Sequence, residues 1–123
     1  MSVLRNDQIL VSDVDQTLAI WHKDHAKPGK GKIKVFDPLS KENVYLKPHK
    51  VHIRLLKQHV ARGYYVIIWS KASYHWAEAV CKAFDLKEGI HYSLIMSKPE
   101  KHIDDCENVV DILGPRVYLK DGE

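Results

Sequence analysis

Four short stretches of this chain carry side chains able to handle a phosphoryl group. They are Asp13-Val14-Asp15-Gln16-Thr17, then Ser70, then Lys98, and finally Asp104-Asp105. Two carboxylates held this close repel each other unless a cation sits between them. A hard divalent ion such as Mg²⁺ takes oxygen ligands and needs few protein groups. A lysine can balance the charge of a phosphoryl group, and hydroxyls can bind its oxygens. Three or four acids, one lysine and two hydroxyls together form a phosphoryl-transfer constellation, provided the fold brings them to one place.

The elements between these stretches say where they must lie. Gln8 to Ser12 is a continuous apolar run and reads as a buried strand ending at Asp13. Tyr64 to Trp69 is rich in β-branched and aromatic residues, reads as a second strand, and ends at Ser70. Tyr92 to Met96 reads as a third, ending near Lys98. His102 and Ile103 fit a very short fourth that runs into Asp104-Asp105, and Arg116 to Leu119 fits a final one. Val51, Leu55, Leu56 and Val60 recur at helical spacing, with Pro48 suited to the first turn and Gly63 to the stop. Trp76, Ala77, Val80, Cys81 and Phe84 mark one face of a second helix, and residues 109–113 suggest a third.

Between the first strand and the first helix, Lys27-Pro28-Gly29-Lys30-Gly31 reads as a loop. Ile33–Phe36 and Asn43–Leu46 read as a β-hairpin around Asp37-Pro38-Leu39-Ser40. Helices alternating with apolar strands predict an α/β fold with a mainly parallel sheet. Right-handed crossovers then put the strand C-termini along one edge, where such sheets bind ligands. The catalytic stretches fall at those ends.

Taken together, the motifs resemble those of the haloacid dehalogenase (HAD) superfamily. Ile9-Leu10-Val11-Ser12-Asp13-Val14-Asp15-Gln16-Thr17-Leu18 is similar to its first motif, an apolar strand followed by Asp-x-Asp-x-Thr. Val66-Ile67-Ile68-Trp69-Ser70 looks like the second, Lys98-Pro99 like the third, and His102-Ile103-Asp104-Asp105 like the fourth. The resemblance implies a Rossmann-like core, a phosphatase activity and Mg²⁺. It implies that Asp13 is the nucleophile and Asp15 the acid and base. It implies Mg²⁺ on Asp13, the Asp15 carbonyl and the fourth-motif acids, Asp105 directly and Asp104 beside it. Ser70 and Lys98 would bind the phosphoryl oxygens, and Thr17 would support the loop or the phosphate. One position departs from the pattern: Gln16 stands where the superfamily usually has glycine.

Size bears on the substrate. With 123 residues the chain is expected to be a single catalytic domain over 1–123. The segment from Ser70 to Lys98 holds only a helix and a strand. Residues 18–47 suit a small hairpin flap and are too few for a full cap domain. Superfamily members without a cap include the phosphatase domain of polynucleotide kinase-phosphatases, whose Asp-Val-Asp-x-Thr and Ile-Asp-Asp elements look similar. Charge points the same way. The net charge is +3, yet His22 to Lys50 alone holds eight lysines and three acids, a net of +5, leaving the rest at −2. A basic flap beside the site favours an anionic substrate such as a nucleotide or a nucleic-acid end.

Two other functions share some of these features. A phospho-acceptor receiver module has similar length, Mg²⁺, an acceptor Asp and a Lys, but it places adjacent acids after its first strand and the acceptor after its third. A non-catalytic nucleic-acid-binding protein would use the basic flap alone. His22 with His25 and His49 with His52 have spacings open to a metal, without the Cys or acid partners of a zinc pattern. Trp21, Trp69 and Trp76 read as core or loop anchors. Cys81 and Cys106 lie in no Cys-x-x-Cys pattern and read as reduced thiols of a cytoplasmic protein. No apolar run approaches the roughly 20 residues that span a bilayer, and no secretory signal is expected at the N-terminus.

Overall fold

The structure, a computed structural model, describes residues 8–105 and 113–120. Its elements run in the order β1 (Ile9–Ser12), β2 (Ala19–Ile20), β3 (Ile33–Asp37), β4 (Glu42–Pro48), α1 (Lys50–Ala61), β5 (Tyr65–Ser70), α2 (Tyr74–Ala83) and β6 (Leu94–Ser97). They form two three-stranded sheets, one ordered β1-β5-β6 and the other β2-β4-β3.

The first sheet is wholly parallel. Ser12 of β1 pairs with Ile68 of β5, and Ser70 of β5 pairs with Ser97 of β6. Parallel pairing sends all three C-termini to one edge, as the alternating pattern predicts. Along β5, Val66, Ile68 and Ser70 are buried at every second position, so Ser70 shares the core face. Helices α1 and α2 flank this sheet and bury Leu56, Trp76, Ala77, Val80 and Cys81 in one apolar cluster with Val14, Leu18, Val66 and Ile68. This is an α/β, Rossmann-like core, a parallel sheet flanked by helices.

The second sheet is antiparallel. The expected hairpin is there, with Ile33 opposite Leu46 and Asp37 opposite Glu42. It gains a third strand that the sequence reading left out, β2, whose Ala19 pairs with Pro48. Val35, Val44 and Leu46 are buried, so the insert adds to the core.

Several expectations need correction. Pro48 ends β4 instead of opening α1. The cap of α1 is His49, whose ring accepts the His52 amide. No strand forms at His102-Ile103: residues 101–104 have no regular structure, and the side chains from Lys101 to Asp105 are exposed. Two exposed residues, with no neighbouring core face, have nothing to bury and no strand to extend. Nor does Arg116 to Leu119 form a strand. Leu119 spends its amide and carbonyl on histidine rings instead of a β-ladder. The third expected helix lies, except for Leu113, outside the described residues.

Candidate active site

The chain leaves β1 at the sheet edge and turns back on itself at once. The carbonyl of Val14 accepts three amides, those of Thr17 at 3.1 Å, Leu18 at 2.8 Å and Ala19 at 3.0 Å. The Val14 side chain is fully buried. This knot holds Asp13 and Asp15 half-buried on either side of Val14.

Gln16 sits at φ 61°, in the left-handed region. That region favours glycine over any residue with a side chain. Two hydrogen bonds offset the strain. The Gln16 amide donates to the Ala19 carbonyl at 2.8 Å, and its side-chain oxygen accepts the Trp21 amide at 3.0 Å. The glutamine thus ties the Asp13–Thr17 loop to the start of the insert.

The two aspartates differ in their surroundings. One oxygen of Asp15, Oδ1, accepts the indole N–H of Trp21 at 2.9 Å and that of Trp76 at 2.9 Å. Among the described residues, the Asp13 carboxylate has no hydrogen-bond or ion-pair partner. A group placed to attack must keep its lone pairs available, whereas a group placed to pass a proton gains from being held still.

Ser70 and Lys98 meet across the β5–β6 edge. The Lys98 amide donates to the Ser70 carbonyl at 2.9 Å. Ser70 Oγ accepts the Ala72 amide at 3.1 Å, leaving its O–H to donate elsewhere. It does not cap α2. Ser73 does so by accepting the Trp76 amide, and Ser97 Oγ accepts the Tyr74 amide. Thr17 is half-buried, and its carbonyl accepts a hydrogen bond from the ring of His52 at 2.8 Å.

Asp104 and Asp105 are exposed on the irregular segment beyond β6. Among the described residues no three His, Cys, Asp or Glu side chains gather as a metal cluster. The donors that the first loop offers are all oxygens, the chemistry a hard divalent ion takes, so Asp13 and the loop carbonyls suit such an ion as part of a set. A groove of about 890 Å³ between β3 and α2, lined by Phe36, His75, Glu78 and Tyr92 among others, contains none of these residues. The candidate residues therefore lie at the sheet edge, outside that groove.

Sequence reasoning missed the indole pair. Trp21 and Trp76 read as anchors, and nothing in their spacing signals that they share the Asp15 carboxylate, which lies 6 positions before Trp21 and 61 before Trp76. The histidine pair His49 and His52 is occupied structurally, each ring nitrogen holding a backbone group.

A parallel core with Asp-x-Asp-x-Thr at the first strand end, a serine at the next and a lysine after the third defines a phosphatase of the haloacid dehalogenase superfamily. The chain belongs to the NLI interacting factor-like phosphatase family, whose model it matches over residues 8–113. Comparison with curated proteins finds no relative that matches. Membership indicates a hydrolase acting on a phosphorylated substrate, and phosphatases of this kind are generally metal-dependent. No helix among the described residues is long and apolar enough to cross a membrane.

Proposed function

We propose that this chain is a Mg²⁺-dependent phosphomonoesterase that works through an aspartyl-phosphate on Asp13. The observation that supports it is the shared edge: an unencumbered Asp13, a fixed Asp15, and Ser70 joined to Lys98 by a 2.9 Å backbone bond.

In this reading an Asp13 carboxylate oxygen attacks phosphorus as the bond to the leaving oxygen breaks. Asp15 gives its proton to that oxygen, then takes one from the water that attacks the aspartyl-phosphate. Water's oxygen ends on phosphate, and Asp13 is restored. The Ser70 hydroxyl and the Lys98 ammonium bind the phosphoryl oxygens as charge builds on them. Thr17 supports the loop. Mg²⁺, held by Asp13, the Asp15 carbonyl and Asp105 with Asp104 beside it, would supply positive charge to offset that of the phosphoryl group.

The substrate we favour is large and anionic, a nucleotide or a nucleic-acid end. A single domain over 1–123, with the 18–47 insert as a flap and no full cap, would leave the site open. Lys32 is spent within the flap, bonded to the Asp24 carboxylate at 2.9 Å. Lys23, Lys27, Lys30, Lys34 and Lys41 stay exposed to draw a polyanion. A cytoplasmic location fits the free, buried thiol of Cys81.

The test is hydrolysis of p-nitrophenyl phosphate with and without Mg²⁺. Turnover should need the metal and vanish in Asp13→Asn. Unchanged activity in that variant removes Asp13 as nucleophile. A panel of nucleotides, 3′- and 5′-phosphorylated oligonucleotides, sugar phosphates and phosphopeptides then ranks the substrate classes. An aspartyl-phosphate that forms and does not turn over would point instead to a receiver module. Salt-sensitive oligonucleotide binding without turnover would point to a binding protein.

A further inference from the structure

We propose that Trp21 and Trp76 are positioning residues, whose indole N–H groups fix the Asp15 carboxyl and leave Oδ2 as the only atom that carries the catalytic proton. The inference rests on the reading of Asp15 as general acid and base.

Both indoles donate to the same oxygen, Oδ1, each at 2.9 Å. A carboxylate oxygen has two lone pairs in its plane, so two N–H donors fill it. The proton must then ride on Oδ2. An indole N–H is uncharged and donates only, so neither tryptophan can take that proton away. The pair therefore sorts the two oxygens, one as anchor and one as acid.

The donors are themselves held from independent elements. Trp76 is 3% exposed, in the first turn of α2, with its amide capped by Ser73. Trp21 lies just after β2. Gln16 accepts its amide at 3.0 Å, and His25 meets its ring edge-on at 5.0 Å between centroids. The two indoles lie 5.8 Å apart. Core helix and insert thus converge on one carboxyl oxygen, and the insert contributes directly to the geometry of proton transfer.

The expected proton path balances. The Oδ2–H bond breaks as an O–H bond forms on the leaving oxygen. In the second half the water's proton returns to Oδ2 as its oxygen bonds to phosphorus and the bond from phosphorus to the Asp13 oxygen breaks. Oδ1 keeps its two N–H partners throughout.

The test compares kcat/KM for p-nitrophenyl phosphate, whose leaving group needs no proton, with that for a simple alkyl phosphate, whose leaving group does. Trp21→Phe and Trp76→Phe keep an aromatic ring and drop the N–H. Because general-acid catalysis is worth roughly 100- to 10,000-fold, losing one of two anchors is expected to cost about tenfold on the alkyl ester. The aryl ester should change by less than about threefold. Asp15→Asn is the reference and should show the same selectivity, more strongly. If Asp15→Asn shows none, the reading of Asp15 fails. If Asp15→Asn shows it and both Trp variants slow the two esters equally, or neither, positioning fails while the reading of Asp15 survives. A second measurement does not depend on activity or on the Trp variants folding. In the ¹⁵N–¹H spectrum of the intact protein, Asp15→Asn should move the indole signals of Trp21 and Trp76 and leave that of Trp69 in place. Three unmoved signals overturn the proposal.

Discussion

His49 and His52 stack face to face, with ring centroids 3.7 Å apart and planes 8° from parallel. All four ring nitrogens are engaged. His49 Nδ1 accepts the His52 amide, and its Nε2 donates to the Leu119 carbonyl at 2.7 Å. His52 Nε2 accepts the Leu119 amide at 2.8 Å, and its Nδ1 donates to the Thr17 carbonyl at 2.8 Å. Each ring is thereby locked in one neutral tautomer. The pair clasps residue 119 to the start of α1 and to the Asp-x-Asp-x-Thr loop.

This clasp makes stability depend on pH. Burial, and then the neighbouring His49, hold the His52 imidazole below the ordinary value of 6.5, against the opposing hydrogen bond to Thr17. Tyr118 faces the same ring at 5.4 Å, with Arg116 over the tyrosine. Since the unfolded chain takes up a proton near 6.5 and the folded one resists, stability is full above that value. It should fall as pH drops from there through the lower folded value. Denaturant unfolding at pH 8, 7, 6 and 5 checks this, and His52→Gln should flatten the dependence over that range. The Leu119 amide should exchange faster at pH 5 than at pH 7 once intrinsic rates are allowed for.

Gln16 offers a separate test of backbone strain. Its φ of 61° disfavours any β-branched side chain. Gln16→Val is expected to lose about 1–2 kcal/mol of stability. Gln16→Gly relieves the strain and gives up the bond to Trp21, so it should stay within about 1 kcal/mol of the parent. Thermal melts of the three proteins give the order, and a valine variant as stable as the glycine one contradicts it.

Ser70→Ala should act on two levels. Losing the acceptor for the Ala72 amide costs about 1 kcal/mol of stability. If Ser70 binds the phosphoryl group as proposed, losing the hydroxyl donor should raise KM for p-nitrophenyl phosphate, and should lower kcat because the contact strengthens as charge builds in the transition state. Ser70→Thr keeps the hydroxyl and should retain more activity than alanine. Equal kinetics for parent and alanine variants would remove Ser70 from the phosphate site.

Cys81 should be inert in the native state. Burial, then the nearby Glu78, push its thiol up to about 12. The reactive thiolate is therefore scarce at pH 8. In a Cys106→Ser background, a thiol reagent should label the folded protein hardly at all and label it fully in denaturant. Rapid native labelling would show that the core opens around α2.

Much of the architecture can be read from local pattern. Apolar runs mark β1, β5 and β6 as sheet strands, although only β5 is buried at alternate positions while Ile9 of β1 and Leu94 of β6 stay exposed. Helices between the runs favour parallel crossovers, and the residues that follow each run reach one edge. Asp13, Asp15, Ser70 and Lys98 fall there for that reason. Periodicity likewise marks the face of α2 that carries Trp76, Ala77, Val80 and Cys81. The short stretches at 102–103 and 116–119 form no strand because runs of two to four residues do not decide one without a neighbour to pair with. At Leu119 the backbone found imidazoles instead.

What the sequence determined by itself was the kind of chemistry: carboxylates, a hydroxyl and a lysine, each placed where an apolar run of the sheet ends. What only the tertiary structure decided was how those groups are held. Trp21 and Trp76 come from an insert and a helix that periodicity treats separately, yet both reach Asp15 Oδ1. His49 and His52 carry metal-like spacing, yet their rings close on the backbone at Thr17 and Leu119. Hydrogen bonds between residues distant along the chain leave no period in the sequence, because their partners are chosen by packing and not by local spacing.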